Sequence, residues 1–191
     1  AYRAVIGSML EEVDKLGYLV DRLLTLSRAE IGQAKLALEA IDLHALATEV
    51  VSHLGVLAEE KAQTLTLDHD AKPVCRCDRS VLRQALINIV DNAIKYTPEG
   101  GRIRVRVGAS AGEAVLEVSD TGPGVSPEAG ARIFDRFYRA THPRDDLSGS
   151  GLGLSIAKWA VEVNGGRLSL EPAPGGGSTF RITLPSDGPA Q

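Results

Sequence analysis

The chain has 191 residues, 43% hydrophobic and 24% charged, with a formal net charge of −4. That length is enough for one ordinary domain plus an extra element, and the composition excludes a disordered chain. The basic residues are scattered, which argues against nucleic acid as a main partner, and no apolar run approaches the roughly 20 residues of a membrane helix.

The first residues, AYRAVIGSMLEEVDKL, already carry acidic side chains and a helical period, so no signal peptide is expected. Ile6, Met9, Val13, Leu16, Val20 and Leu23 form a heptad seam, widened by Leu10, Leu19, Leu24 and Leu26. A long N-terminal helix is predicted, ending near Gly32. Its stripe needs neighbours, either in its own domain or, the sharper reading, in an oligomerisation bundle.

Helices and strands then alternate. A short strand is predicted over 36–41, and Asp42 caps a helix reaching about Lys61. Thr64–Leu67 and Val74–Cys77 read as extended segments, and Asp78 caps a strong helix through Tyr96. Cys75 and Cys77 are expected on opposite faces of their strand, unable to pair or share a metal, and structural in a reducing cytoplasm. His44, His53, His69 and His142 show no metal-ligand spacing. Arg102–Val107 and Ala114–Ser119 read as a hairpin, followed by a helical turn at Pro127 and a helix from about Leu152 to Val163. Asn164-Gly165-Gly166 stops that helix, and Arg167–Glu171 with Thr179–Leu184 form a closing hairpin. The predicted class is α+β: a two-layer sandwich, its mixed, mostly antiparallel sheet covered by helices on one face, after a long bundle helix.

Three features carry chemistry. Asn88, Asn92 and Lys95 lie at i, i+4 and i+7 beside the apolar stripe of their helix, although asparagine is a poor helix former. Amide oxygens suit Mg²⁺ and a lysine one turn on can meet phosphate, but a solvated helix face explains the same residues as well. Asp120-Thr121-Gly122-Pro123-Gly124 follows a strand, where a carboxylate can accept a hydrogen bond from an exocyclic amine and glycines admit a flat ring. An ordinary Asp-Gly turn is the alternative. Gly149-Ser150-Gly151-Leu152-Gly153-Leu154 opens a helix, an arrangement suited to anions. It lacks the Gly-Lys-Ser/Thr of a P-loop and does not join a buried strand to its helix as a dinucleotide motif does.

NIVDNAIKYT (88–97), DTGPGV (120–125), IFDRFYRA (133–140) and GSGLGL (149–154) stand in the order and spacing of the N, G1, F and G2 boxes of sensor histidine kinases. GGGSTFRITLP (175–185) is similar to that family's last strand, and RLLTLSRAE (22–30) resembles the end of the second dimerisation helix. The resemblance covers nearly the whole chain. It implies a GHKL-type ATP-binding catalytic domain over 33–187, a dimerisation helix over 1–32 and a tail over 188–191. By resemblance, Asn92 with Asn88 would hold Mg²⁺, Lys95 would contact phosphate, and Tyr96 would lie along ATP. Asp120 would bind the adenine amino group, shaped by Gly122 and Gly124, and Thr179 would complete the adenine site. Phe134 and Phe137 would anchor a lid (138–150) whose base packs on the core. Gly149, Ser150, Gly151, Leu152 and Gly153 would close over the phosphates, and Arg139 would reach the terminal one. Arg136, Lys158 and Trp159 read as surface or packing residues.

ATP-hydrolysing relatives of the wider fold carry a glutamate one turn before the metal-binding asparagine. Asn88 stands there in this chain and cannot accept a proton from water. Transfer to a histidine is therefore expected, with relay to the aspartate of a response regulator receiver domain. No histidine here has the context of the family's H box, so the acceptor is expected upstream, on a helix that pairs with the heptad helix. The chain by itself is expected to bind ATP and Mg²⁺ without labelling itself. The full-length protein is expected to be a homodimer through the bundle, with this part cytoplasmic and an inner-membrane anchor compatible with it.

Overall fold

The computed structural model describes residues 36–139, 150–173, 176–186 and 188–189. The heptad helix predicted over 1–32 and most of the expected lid lie outside the described residues. The elements are β1 (Leu38–Asp42), α1 (Leu43–Glu60), β2 (Thr64–His69), β3 (Pro73–Asp78), α2 (Arg79–Tyr96), β4 (Arg102–Ser110) and β5 (Glu113–Asp120). They continue with α3 (Pro127–Gly130), α4 (Gly153–Val163), β6 (Arg167–Pro172), β7 (Ser178–Pro185) and β8 (Gly188–Pro189).

Two aspartates start the long helices as predicted. Asp42 Oδ1 accepts from the N–H groups of His44 (2.8 Å) and Ala45 (3.1 Å). Asp78 Oδ1 does the same for Ser80 (3.0 Å) and Val81 (3.1 Å). Each satisfies two amides that a helix leaves without internal partners. Burial opposes charge on Asp78, but its bonds from Ser80, Ala37 and Val81 prevail and lower its pKa.

Five strands form one sheet in the order β2-β4-β5-β7-β6. Only the β2–β4 pair is parallel. Period-two alternation sends Ile103, Val105 and Val107 of β4, Leu116 and Val118 of β5, and Phe180 and Ile182 of β7 into the core. The apolar stripes of α1 (Leu46, Val50, Leu54), α2 (Leu82, Leu86, Ile89) and α4 (Ala157, Ala160, Val161) share that core. The opposite face is charged: Arg106 pairs with Asp70 (2.6 Å) and Glu117 (3.2 Å), and Arg181 with Glu117 (2.8 Å) and Glu171 (3.3 Å). The helices therefore cover one face of a mostly antiparallel sheet, as predicted. Among the described residues no helix is long and apolar enough to cross a membrane.

A second sheet, β1-β3-β8, was not legible in the sequence. Its β1–β3 pairing joins Leu38 to Asp78, forty residues apart, and no local pattern specifies such a register. Within it the cysteine expectation is corrected. Residues two apart in a strand point to the same face, and Cys75 and Cys77 lie side by side in the core, their thiols hydrogen-bonded to each other at 3.7 Å and not joined as a disulfide. Asn164, at the end of α4, ties the layers together. Its Oδ1 accepts from Asp78 N–H (2.7 Å) and its Nδ2 donates to Ala160 O (2.7 Å).

Candidate functional site

The ends of α2 and β5 converge on one side of the sheet. Along α2, Asn88 is buried at 2% exposure and accepts at Oδ1 from Gln84 Nε2 (3.3 Å), while Asn92, Lys95 and Tyr96 are half-buried. The three polar residues thus line the edge of the core, and the simple solvated-face alternative fails at Asn88. Lys95 Nζ lies 5.3 Å from the centre of the Tyr96 ring. Desolvation, then the nearby cations Arg139 and Lys61, push the Lys95 pKa down, with Asp91 opposing. Cations gathered in a partly dehydrated place favour an anion among them.

The last turn of α2 is held from outside the helix. Lys61 Nζ donates to Ile94 O (3.1 Å) and Lys95 O (3.3 Å). Gln63 Nε2 donates to Ile94 O (3.0 Å) and Thr97 O (2.6 Å). These carbonyls have no intrahelical partner, and the chain supplies donors for them from the α1–β2 junction.

Asp120 ends β5 on its inner face, 7% exposed. Its Oδ1 accepts from Gly122 N–H (2.8 Å) and Ser178 N–H (3.4 Å). Burial pushes its pKa up, and those two hydrogen bonds pull it back. Three glycines surround it. A Cβ on Gly122 would lie 2.8 Å from Asp120 Oδ1 and 3.1 Å from Tyr96 O, and one on Gly177 would lie 2.0 Å from Asp120 O. Gly124 and Gly177 have φ of +75° and +93°, and a Cβ on Gly124 would be 3.2 Å from Gly177 O. The carboxylate is thus pinned in a cradle that only backbone can approach, which rules out an ordinary exposed Asp-Gly turn.

Thr179 is not brought to Asp120. It sits opposite Ser119 in the β5–β7 register, and their hydroxyls are 2.9 Å apart on the other face of the sheet. The period of two decides this, and the residue that meets Asp120 is its neighbour Ser178. Sequence reading also missed Gly177, since the run Gly175–Gly177 signals only a turn, and Gln63, which belongs to no motif.

Of the two lid anchors, one packs on the core. Phe134 is half-buried, with its ring edge-on to Phe180 at 6.5 Å. Phe137 is 64% exposed with φ +60°, so its expected packing on the core is corrected. Tyr138, at the base of the expected lid, is half-buried against the core with the Arg132 guanidinium 4.6 Å from its ring centre. The backbone of Phe137 matters instead: its N–H donates to Gly151 O (3.0 Å), and a Cβ on Gly151 (φ +68°) would strike the Phe137 carbonyl carbon at 2.8 Å. Gly151 therefore lies against the root of the expected lid. Leu152 is fully buried and precedes α4, whose start at Gly153 has no side-chain cap among the described residues. An uncapped helix start of this kind is a place where an anion would be stabilised. Gly149 lies outside the described residues, and Ser150 Oγ accepts from Leu152 N–H at 3.4 Å. Lys158 reaches Glu162 (3.9 Å) and the Phe134 ring (5.7 Å), and Trp159 packs on the core, in line with their reading as surface and packing residues.

Among the described residues no group of three or more His, Cys, Asp or Glu could hold a metal. A hard cation would rest on the amide oxygens of Asn92 and Asn88, one turn apart, and a set so small fits an ion that also takes oxygens from a ligand.

A buried carboxylate in a glycine cradle beside the end of a helix that carries Lys95 and Tyr96 is an arrangement suited to a nucleotide, and comparison with known proteins identifies the domain. Residues 77–188 match the family described as histidine kinase-, DNA gyrase B-, and HSP90-like ATPase. The sensor protein IrlS of Burkholderia pseudomallei is 32% identical over 186 residues, covering 97% of this chain and 40% of the relative. The structure of full-length ShkA in complex with AMPPNP superposes with a TM-score of 0.86 at 32% identity, over 99% of this chain and 40% of that one. Acinetobacter baumannii histidine kinase AdeS superposes with a TM-score of 0.79 at 26% identity, over 96% and 84% respectively. The chain belongs to this ATPase family and carries the ATP-binding domain in the form found in sensor histidine kinases. It spans about two fifths of the length of the sensor protein it matches.

Proposed function

We propose that this chain is the catalytic part of a protein-histidine kinase, moving the γ-phosphate of ATP to a histidine on another segment for relay to a receiver-domain aspartate. The observation that carries the reading is Asp120, buried and oriented by two backbone N–H groups beside the end of α2. An oriented acceptor there suits the adenine amino group, and Tyr96, Lys95 and Arg139 lead from it towards the phosphates. Asn92, supported by Asn88, would hold Mg²⁺, which when bound neutralises phosphate charge. Lys95 steadies the phosphates, Arg139 meets the terminal one, and the segment from Gly149 to Gly153 covers them with backbone N–H groups. Residues 1–32 would serve as the dimerisation helix of a homodimer and 33–187 as the catalytic domain, in the cytoplasm.

A neutral imidazole nitrogen attacks the γ-phosphorus as the bond to the ADP oxygen breaks, so the nucleophile needs little base assistance. Hydrolysis needs a base near the water, and Asn88, at the turn where a base would stand, is an amide already engaged with Gln84. Incubation with γ-labelled ATP and Mg²⁺, alone and with a separately made helical hairpin bearing the acceptor histidine, tests the proposal. Acid-labile label on the hairpin is the expected result. Steady release of free phosphate with no protein label would move the assignment to an ATPase.

A further inference from the structure

We infer that Gln63, outside every motif of the family, is a positioning residue that holds the phosphate side and the base side of the nucleotide site in register. The inference rests on the nucleotide-binding reading above and deepens it. Gln63 is 6% exposed and sits between α1 and β2. Its Nε2 donates both to Ile94 O, inside the last turn of α2, and to Thr97 O, just past its end. One amide thereby fixes the direction in which the chain leaves Lys95 and Tyr96.

From there the contacts run to Asp120. A Cβ on Gly101 would meet Thr97 Cγ2 at 2.3 Å and Thr121 Oγ1 at 3.1 Å, so the α2–β4 connection lies directly on the turn after β5. Thr121 Oγ1 accepts from Arg102 N–H (2.9 Å), and Thr121 N–H donates to Arg102 O (3.0 Å). Tyr96 O backs Gly122, whose N–H orients the Asp120 carboxylate. Lys61 shares Ile94 O and holds Lys95 O, but does not reach Thr97 O. Gln63 alone of the two therefore bridges the helix and the segment leading to the base turn.

Packing does not explain the residue. Gln63 Oε1 is buried without a hydrogen-bond partner among the described residues, as is Thr97 Oγ1. A side chain chosen to fill space would not bring an orphan acceptor into the core. The donor end is what the site uses.

The test compares a two-part ligand with its base half on the full chain. Gln63→Met keeps length and burial and removes both donors. ATP affinity, by calorimetry with Mg²⁺, should fall about tenfold, while adenosine affinity, by NMR titration, should change less than about twofold. Adenosine engages only the Asp120 turn, whereas ATP needs the turn and α2 in register. Equal losses for both ligands, or none for ATP, would overturn the inference and leave the site reading intact. A wild-type chain that binds neither ligand would sink the site reading itself. Should Gln63→Met not fold, Gln63→Glu carries the same comparison, with the ATP deficit expected to shrink as pH falls and the carboxyl regains a proton to donate.

Discussion

The two halves of the nucleotide site are built differently. The base half is finished by the fold: Asp120 is buried, its Oδ1 is held by two backbone N–H groups, and Gly122, Gly124 and Gly177 leave no room for side chains around it. The phosphate half is open. Asn92 and Lys95 are half-buried, Arg139 is exposed, and α4 begins without a side-chain cap among the described residues. A base is rigid and neutral, so a preformed cradle loses little on binding it. A triphosphate is charged and must react, so its surroundings hold cations in partial solvent until it arrives.

The largest effect that would break this comparison is expected at Gly177. Gly177→Ala combines a φ of +93° with a Cβ 2.0 Å from Asp120 O, and should destabilise by roughly 2–4 kcal/mol and lower ATP affinity about a hundredfold. Gly176→Ala is its control, with a φ of +99° but no atom near the new Cβ, and should lose stability from backbone strain alone. Denaturant unfolding and calorimetry read both. Equal effects in the pair would mean that the cradle's closeness is irrelevant.

Asp120→Asn comes next and separates binding from stability. ATP affinity should drop by roughly tenfold to a hundredfold, because an amide can point its donor at the adenine amine. Burial raises the folded carboxyl's pKa, so Asp120 contributes most to stability below its unfolded pKa, and that contribution is lost as pH rises through the folded value. The asparagine variant, which does not titrate, should therefore melt above the wild type at pH 7, with the advantage fading as pH approaches 4. A melting advantage that grew on acidification would contradict the burial argument.

The smallest effect is expected on the open side. Lys95→Met should weaken ATP by about tenfold at low salt and leave adenosine unchanged, and the deficit should narrow as salt screens the wild-type interaction. A salt-independent loss would place Lys95 in packing rather than in a charged half-site.

Sequence alone determined the elements and most of the chemistry. Asp42 and Asp78 announce their helices because an N-cap is a local hydrogen bond, and the strands of the large sheet announce themselves because alternation is local. The order of four motifs disclosed the family, and the register of Asn88, Asn92 and Lys95 along one helix face follows from helical geometry. Tertiary structure alone decided what depends on pairing between distant segments. It placed β1 beside β3, turned Thr179 away from Asp120 and Ser178 towards it, and exposed Phe137 while leaving Phe134 on the core. It also brought Gln63 under a helix end some thirty residues away. Spacing along a chain fixes which side chains share a face, but which face meets which partner is settled only when the elements pack.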